Sequence, residues 1–524
     1  MATAGRLGRA GYKVTVLEKN DTIGGRCQSR HVAAPGVGGG EFRFDTGPSL
    51  LLMRQKYEEA FEALGVPLPT ELRRVSPAYR VFFGDGDSME LLYDVNEMSK
   101  QLEAVEEGAG LAYLEWLAKA RAMFTIGGGI IENDMKTLTD MADPNIAVPL
   151  LAKVPPWQMV LPHDLALRGF FKSEKLRSLF TFQDLYVGLS PYNAPGAFSL
   201  LAGTELIDGI WYPVGGFQKM RDGLAQAAKD NGVEIRTCSP VRRVVVEGGR
   251  ARGVELESGE IVDADVVVAN PDVPYVYDEL MAGEEARSKA EDLASKEYSA
   301  GVVSFNWCIN GRASELLHHS IFLSDKPKEA WNRATSAADV AADGRCPRPN
   351  FYVHTPSRTD DTCAPEGCES IMVLLPIGNA QEVAGNGTSA GKIDWDAMVE
   401  SGREAVLRRL DEAGVRVTPR EGGEPVSVRE AIASEFVYTP AIWEKMYNLK
   451  YGAAFGLAHG LTQLAYFRPG NGPIEDGDTD GLYFVGASTR PGNGVPLVLM
   501  SAAITANRIL EDRAAATAQT AGVQ

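Results

Sequence analysis

Cysteine is scarce in this chain, with six in 524 residues. They stand at positions 27, 238, 308, 346, 363 and 368, with no C-x-x-C beside a histidine cluster. That spacing excludes a disulfide scaffold and structural zinc, and leaves ordinary thiols of a reducing compartment. The six histidines form no H-E-x-x-H pattern, so no metal site is expected. No apolar run reaches the ~18–20 residues of a membrane-crossing helix, and the N-terminus is neither signal-like nor transit-like. Positive charge is the minority sign: 52 Lys and Arg against 70 Asp and Glu give a net charge of −18. A chain so acidic carries no general nucleic-acid footprint, and no nucleic-acid partner is expected. One absence is local. No G-x-G-x-x-G precedes Ala4, and Gly5, Gly8 and Gly11 do not stand in for it.

What is present begins with length. At 524 residues the chain exceeds one ordinary core, so two interleaved or sequential domains are expected. The stretch from Tyr12 to Arg26, YKVTVLEKNDTIGGR, organises the rest. Val14, Thr15, Val16 and Leu17 predict a buried parallel strand. It ends on Glu18 and Lys19, and Gly24-Gly25-Arg26 follows. An acid at the tip of the second strand of a dinucleotide fold accepts hydrogen bonds from ribose hydroxyls. The glycine pair lets backbone run close to a cofactor, and the arginine offers cationic donors to its phosphates. Upstream, Ala4, Leu7, Gly11 and Val14 keep the spacing of a helix leading into that strand. A Rossmann unit opens with a strand and a glycine-rich phosphate turn, whereas this sequence opens inside the helix. The expectation is therefore that the first strand and phosphate loop are lacking, and that the chain as written retains less dinucleotide than one extended upstream.

Farther on, a glycine-rich hairpin ends with Phe42, Phe44 and the turn Asp45-Thr46-Gly47-Pro48-Ser49. Lys56 to Gly65 predicts an amphipathic helix, and Tyr79 to Tyr93 alternates as two strands about Gly84–Asp87. Trp211-Tyr212-Pro213-Val214-Gly215-Gly216 precedes a helix carrying Met220, Leu224, Ala227 and Ala228. A strand at Val233–Ile235, a hairpin starting at Val241 and an apolar strand at Ala264–Asn270 follow. This order is that of the second half of a two-dinucleotide-type domain. The closing segment runs through Gly486-Ala487 into STRPGNGVP, and reads as strand, glycine turn and a helix to about Arg513. The N-terminus of that helix, at Gly494, Val495 and Pro496, points amides at an anion or an electron-rich carbonyl.

Between these stations the texture is helical from Met98 to about Leu200. Leu111, Leu114, Leu117 and Ala118 predict a packed core stripe. Pro149 to Phe171 is apolar, bears Trp157 and is followed by Lys172, Lys175 and Arg177. Such a segment suits a monotopic membrane contact and equally a lid on the protein's own core. In the aromatic stretch from Tyr438 to Pro469, Gly452, Gly456 and Gly460 recur every four residues and would give one smooth helical face. Its large apolar side chains fit a tunnel or a core.

Together, VTVLEKND…GGR, FDTGPS, WYPVGG…Val241 and GLYFVGASTRPGNGVP resemble the flavin-dependent amine oxidase superfamily, and within it the phytoene desaturases of bacteria and fungi. The blocks FFKSEKLRSLFTFQDLYVGLSPYNAPG and NLKYGAAFGLAHGLTQLAYFRP are similar to that family outside the flavin domain. Arg490 stands where the family's closing motif carries His. The resemblance implies an α/β fold: a two-dinucleotide-binding-type FAD domain in segments 1–97, 210–275 and 470–524. A mixed α+β substrate and membrane domain would fill 98–209 and 276–469. It implies FAD held by Glu18, Lys19, Gly24, Gly25, Arg26, Thr46, Gly47, Pro48, Ser49, Val241, Gly486, Ala487, Gly494, Val495 and Pro496. The substrate would be a hydrophobic phytoene-like polyene, losing hydride to the flavin and a proton to an unassigned base. Asp140, in Asp140-Met-Ala-Asp143, is the nearest match to the Asp-x-x-Arg proposed in bacterial members, and it lacks the Arg. Oxygen or a quinone would take the electrons. The resemblance also implies a peripheral membrane protein of the cytoplasm, or of a plastid had a transit peptide been lost, and leaves a homo-oligomer open. The same fold also serves a carotene isomerase, a saturase or a flavin-poor non-catalytic paralogue.

Overall fold

The computed structural model describes residues 1–34, 37, 40–341, 348–473 and 478–521. The glycine-rich turn of the hairpin around 35–39, apart from residue 37, and Cys346 lie outside the described residues.

Along the chain, α1 (Ala2–Arg9) leads to β1 (Thr15–Leu17), and β2 (Ser29–Ala33) pairs antiparallel with β3 (Glu41–Asp45). After α2 (Arg54–Glu62) come the hairpin strands β4 (Tyr79–Phe82) and β5 (Ser88–Leu91). The helical region includes α3 (Ala109–Glu132) and α4 (Ser199–Asp208), and α5 (Phe217–Asp230) then precedes β6 (Glu234–Arg236). A meander follows in β7 (Val241–Glu247), β8 (Arg250–Leu256) and β9 (Ile261–Asp263), and then β10 (Val267–Ala269). The second half holds β11 (Gly301–Ile309), β12 (His319–Phe322), β13 (Phe351–His354), β14 (Glu369–Ile377), β15 (Ile432–Tyr438) and α6 (Pro440–Tyr447). The chain closes with β16 (Leu482–Phe484) and the long α7 (Val495–Ala521).

On the dinucleotide side, β1 runs parallel to β6, and β10 runs parallel to β16. Among the described residues no strand covers the other edge of β1 or of β10. Residues of both strands line one cavity. α1 and α5 cover this side with small side chains: Ala4 and Ala228 pack with Val233 against Val14, Val16 and Ile235. A β-carbon on Gly8 would stand 2.4 Å from the Asn231 carbonyl oxygen, so the glycine is what lets α1 lie this close.

The other half is built on a seven-stranded sheet in the order β15-β11-β14-β13-β12-β4-β5. Every residue of β11 is buried, which is why GVVSFNWCI reads as a continuous apolar run rather than an alternation. β4 and β5, inside the segment expected to begin the FAD domain, are the edge of this sheet, through the parallel pairing of β4 with β12.

Two expectations need correction. Leu111 and Leu114 are 77% and 43% exposed, while the buried face of α3 is Tyr113, Trp116 and Ala120. A helix with apolar residues on most of its surface offers several registers of core stripe, and the aromatic one wins because it buries more area. The four-residue glycine repeat is not a helix face either. Gly452 and Gly456 adopt φ of +63° and +73° in turns after α6, a conformation in which a helix ends.

Candidate functional site

One large cavity, about 1830 Å³, runs between the two halves. It exceeds the ~300–1,000 Å³ typical of a single small-ligand pocket, which suits a dinucleotide and a long substrate side by side. Glu18, Lys19, Gly24, Gly25, Arg26, Thr46, Gly47, Pro48, Ser49, Val241, Gly486, Ala487, Gly494, Val495 and Pro496 all line it. The acid at the tip of β1 and the glycine turn before α7 therefore share one cleft, 476 residues apart in sequence by number (494 less 18).

Local bonding sets each of these groups. Glu18 Oε1 accepts from the Asn20 N–H at 2.8 Å, which fixes the carboxylate at the strand tip. Lys19 is turned to α6, where its Nζ donates to Asn448 Oδ1 and to the Lys445 carbonyl. These bonds hold the C-terminus of α6, and burial lowers the Lys19 pKa against the pull of Glu18. Arg26 Nη1 donates to the Ala454 carbonyl at 2.8 Å. Gly25 and Gly494 have φ of +53° and +95°, and a β-carbon on either would meet nothing within 4 Å. At the ring end Asn270 Nδ2 donates to the Val485 carbonyl at 2.9 Å, and a β-carbon on Gly486 would lie 2.7 Å from that amide nitrogen. Backbone at both ends is bare toward the cavity, as a flat cofactor in close contact requires.

Asp140 does not line the cavity. Its carboxylate accepts from the Thr137 N–H at 2.7 Å in a capping box at the start of the 3-10 turn Leu138–Ala142. That bond lowers its pKa, so a solvated cap is its observed role. Arg490 is also outside the cavity lining. It is buried, and its guanidinium donates to the carbonyls of Arg468, Tyr466 and Met135. Arg490 therefore braces the loop from behind the cavity.

Other residues in the lining, or buried against it, carried no sequence signal of their own. Arg221, on α5, lies over Gly24, where a β-carbon would meet its side chain at 2.2 Å. Asp272 is buried, and desolvation raises its pKa against the attraction of Arg26 and Arg468. Arg468, also buried, has its pKa pushed down to about 10, and it gathers the carbonyls of Leu457, Ala458 and Ala487. Arg468 and Asn493 lay within quoted blocks. The others are single polar residues on helices or loops, whose convergence is tertiary.

Residues 1–295 match the model of the flavin containing amine oxidoreductase family. The phytoene desaturase of Neurospora crassa is 37% identical over 525 residues, covering 98% of this chain and 83% of that protein. The zeta-carotene-forming phytoene desaturase of Myxococcus xanthus is 34% identical, over 97% of this chain and 92% of that protein. This chain belongs to that family. It is an FAD-dependent oxidoreductase of the carotenoid-desaturase group. A crystallised oxidoreductase from Methanosarcina mazei shares the fold, with a TM-score of 0.59 at 15% identity and 96% of each chain covered.

When bound, FAD supplies a two-electron acceptor, and the bare glycines at Gly25 and Gly494 fit it. The chain's own work is to hold and align. In holding it, Glu18 would offer its carboxylate to hydroxyl donors, the first turn of α7 would offer amides, and Arg26 would offer cationic donors. Phe182, Leu185, Leu201, Ile321 and Leu374 line the remaining cavity with apolar surface, which keeps water from the reacting carbons.

Proposed function

We propose that the enzyme desaturates phytoene or a closely related acyclic carotenoid precursor. The supporting observation is the continuity of the dinucleotide cleft with an apolar tunnel in a single cavity. A saturated carbon of the polyene would give hydride to the flavin, and the neighbouring carbon would lose a proton, leaving a new conjugated double bond. Glu18, Gly24–Arg26, Thr46–Ser49, Val241 and Gly494–Pro496 hold the cofactor in this reading. Oxygen or a quinone reoxidises it.

Membrane association at the helical face belongs to the same proposal. Val148, Leu151, Trp157 and Val160 are each between 46% and 64% exposed on two consecutive short helices. An apolar patch of that kind suits the headgroup boundary from which a water-insoluble substrate is drawn. No helix among the described residues is long and apolar enough to cross a membrane.

The test is incubation of the FAD-loaded protein with phytoene in liposomes, followed by separation of the pigments. Appearance of longer conjugated spectra supports the reading. Phytoene left unconverted while a cis-polyene is consumed would replace it with isomerisation.

A further inference from the structure

Behind the apolar part of the cavity, three side chains form a buried hydrogen-bonded chain that ends on a carboxylate. Tyr186 lines the cavity. Its hydroxyl lies 2.9 Å from that of Tyr79, and Tyr79 donates to Glu205 Oε1 at 2.8 Å. Gln183 Nε2 donates to Glu205 Oε2 at 3.0 Å. These groups come from separate elements: Glu205 from α4, Tyr79 from β4, and Tyr186 with Gln183 from the 3-10 turn Phe182–Val187. Glu205 is 1% exposed.

A carboxylate buried without a cation is costly. The groups that act on this one are Gln183, Tyr79 and Tyr186, and Tyr93 and Tyr352 are near enough to feel its charge. All of them are neutral at ordinary pH. Burial outweighs the three hydrogen bonds and pushes the Glu205 carboxyl up to about 7. Both protonation states are then accessible under working conditions, as a proton acceptor requires.

The chain is also fixed relative to the ring end of the cleft. Asn493 Nδ2 donates to the Tyr186 carbonyl at 2.7 Å, and the His459 N–H donates to the Val187 carbonyl at 3.1 Å. Asn493 adjoins Gly494, where α7 begins. A movement of Tyr186 away from the flavin-facing turn would break that bond.

We propose that the Tyr186–Tyr79–Glu205 chain takes up the proton released by the substrate in each desaturation. The inference rests on the desaturase reading above. One C–H bond breaks and its hydrogen leaves as hydride with both bonding electrons, which the bound FAD would accept. The adjacent C–H bond breaks, and its electron pair becomes the second bond of the new C=C. Its proton goes to the Tyr186 oxygen as Tyr186 hands its own to Tyr79, and Tyr79 hands its own to Glu205. The step ends with Glu205 neutral and both tyrosines restored. The external acceptor of the same reading later removes the two electrons, and Glu205 returns its proton through Tyr79 and Tyr186 to the cavity before the next desaturation. Loss of hydride leaves the neighbouring C–H acidic, so a base as weak as a carboxylate suffices. Tyr186 faces the substrate, and Glu205 is a positioning residue that holds the proton through it.

The test uses the full-length FAD-loaded enzyme in liposomes. Single-turnover bleaching of the flavin by phytoene is followed against pH, and the infrared absorption of protonated carboxyls is recorded over the same range. In the wild-type enzyme the bleaching rate should rise through about pH 7, and a carboxyl band should vanish across the same interval. Glu205→Gln should remove the band, flatten the pH profile and slow bleaching ~10²–10⁴-fold. Glu205→Asp should restore the pH dependence in part. Tyr186→Phe, which removes one oxygen and carries little risk to folding, should slow bleaching while FAD content stays unchanged. Wild-type rate and pH profile in Glu205→Gln, or no band near pH 7 that this substitution removes, would overturn the inference. If phytoene fails to bleach the wild-type flavin, the desaturase reading fails, and the infrared band decides whether Glu205 titrates as stated.

Discussion

Gly47 packs against Arg26 so closely that a β-carbon on it would stand 2.1 Å from the Arg26 carbonyl oxygen. The contact locks the turn after β3 onto the turn after β1, and both turns line the cleft. The obstacle is backbone, which cannot swing aside as a side-chain tip can. Gly47→Ala is therefore expected to force the two turns apart at a cost of ~1–3 kcal/mol. The purified variant should show a lower flavin-to-protein absorbance ratio and a lower thermal midpoint. Undiminished flavin occupancy would separate this contact from cofactor binding.

Arg43 and Asp360 form an ion pair at 2.6 Å with side chains 6% and 1% exposed. Asp360 also accepts from the Gly215 N–H at 2.7 Å, so β3, the P-x-G-G turn and the 360 loop meet at one carboxylate. Burial alone would raise its pKa, yet the bonds from Thr362, Gly215 and Arg43 carry it below the ordinary value. A carboxyl with a depressed native pKa stabilises the fold above its unfolded pKa of ~3.8 and loses that contribution as pH falls through the native value. Asp360→Asn leaves Arg43 buried and unpaired, and should cost ~3–5 kcal/mol in urea unfolding at neutral pH. The loss should shrink toward acid pH.

Much of the dinucleotide half was legible because its elements obey local rules. The apolar, mostly β-branched run at Val14–Leu17, which gives a parallel strand though a half-buried one, the helix stopping before Gly232 and the meander about Gly248-Gly249 are each fixed by neighbours in sequence. The helical region was less legible. On α3 nearly every turn offers an apolar residue, so periodicity could not tell Leu111 from Trp116. The residues behind the site escaped for another reason. Glu205 sits in an unremarkable helical stretch, and only the packing of β4 against the 3-10 turn reveals that Tyr79 and Tyr186 converge on it.

His318, His319 and His354 are all buried within one cluster, with His318 Nε2 and His354 Nε2 3.1 Å apart. Burial and mutual proximity hold their pKa values well below 6.5. The unfolded chain takes up protons on these imidazoles near pH 6.5 while the native one does not, so the unfolded state binds more protons below that point. Stability should thus be full above about pH 7 and fall as pH drops through ~6.5, by up to ~4 kcal/mol per pH unit for three groups. Thermal midpoints measured from about pH 7.5 to about pH 5.5 check this. His319→Gln should lessen the slope by roughly a third, whatever it does to the midpoint at neutral pH. An unchanged slope would mean that the cluster protonates inside the fold.

The apolar face offers the last test, because solvent-exposed Trp157 and Val160 contribute little to the core. They are 46% and 54% exposed, and the buried residue between them in the same helix is Gln158. Replacing both with serine should leave the fold standing, since an exposed side chain has little packing to lose. At a membrane the same two side chains would pass from water into the headgroup boundary. Each half-exposed group then gains on the order of 1 kcal/mol from the apolar area it still has to bury. Their joint loss should weaken partition into phospholipid vesicles ~10–30-fold, with FAD content and thermal midpoint in detergent near those of the wild type. Because the substrate is reached through the bilayer in this reading, turnover of liposomal phytoene should fall with partition, and turnover of detergent-dispersed phytoene should not. Equal sedimentation of variant and wild type with vesicles would remove this face from the membrane-binding proposal.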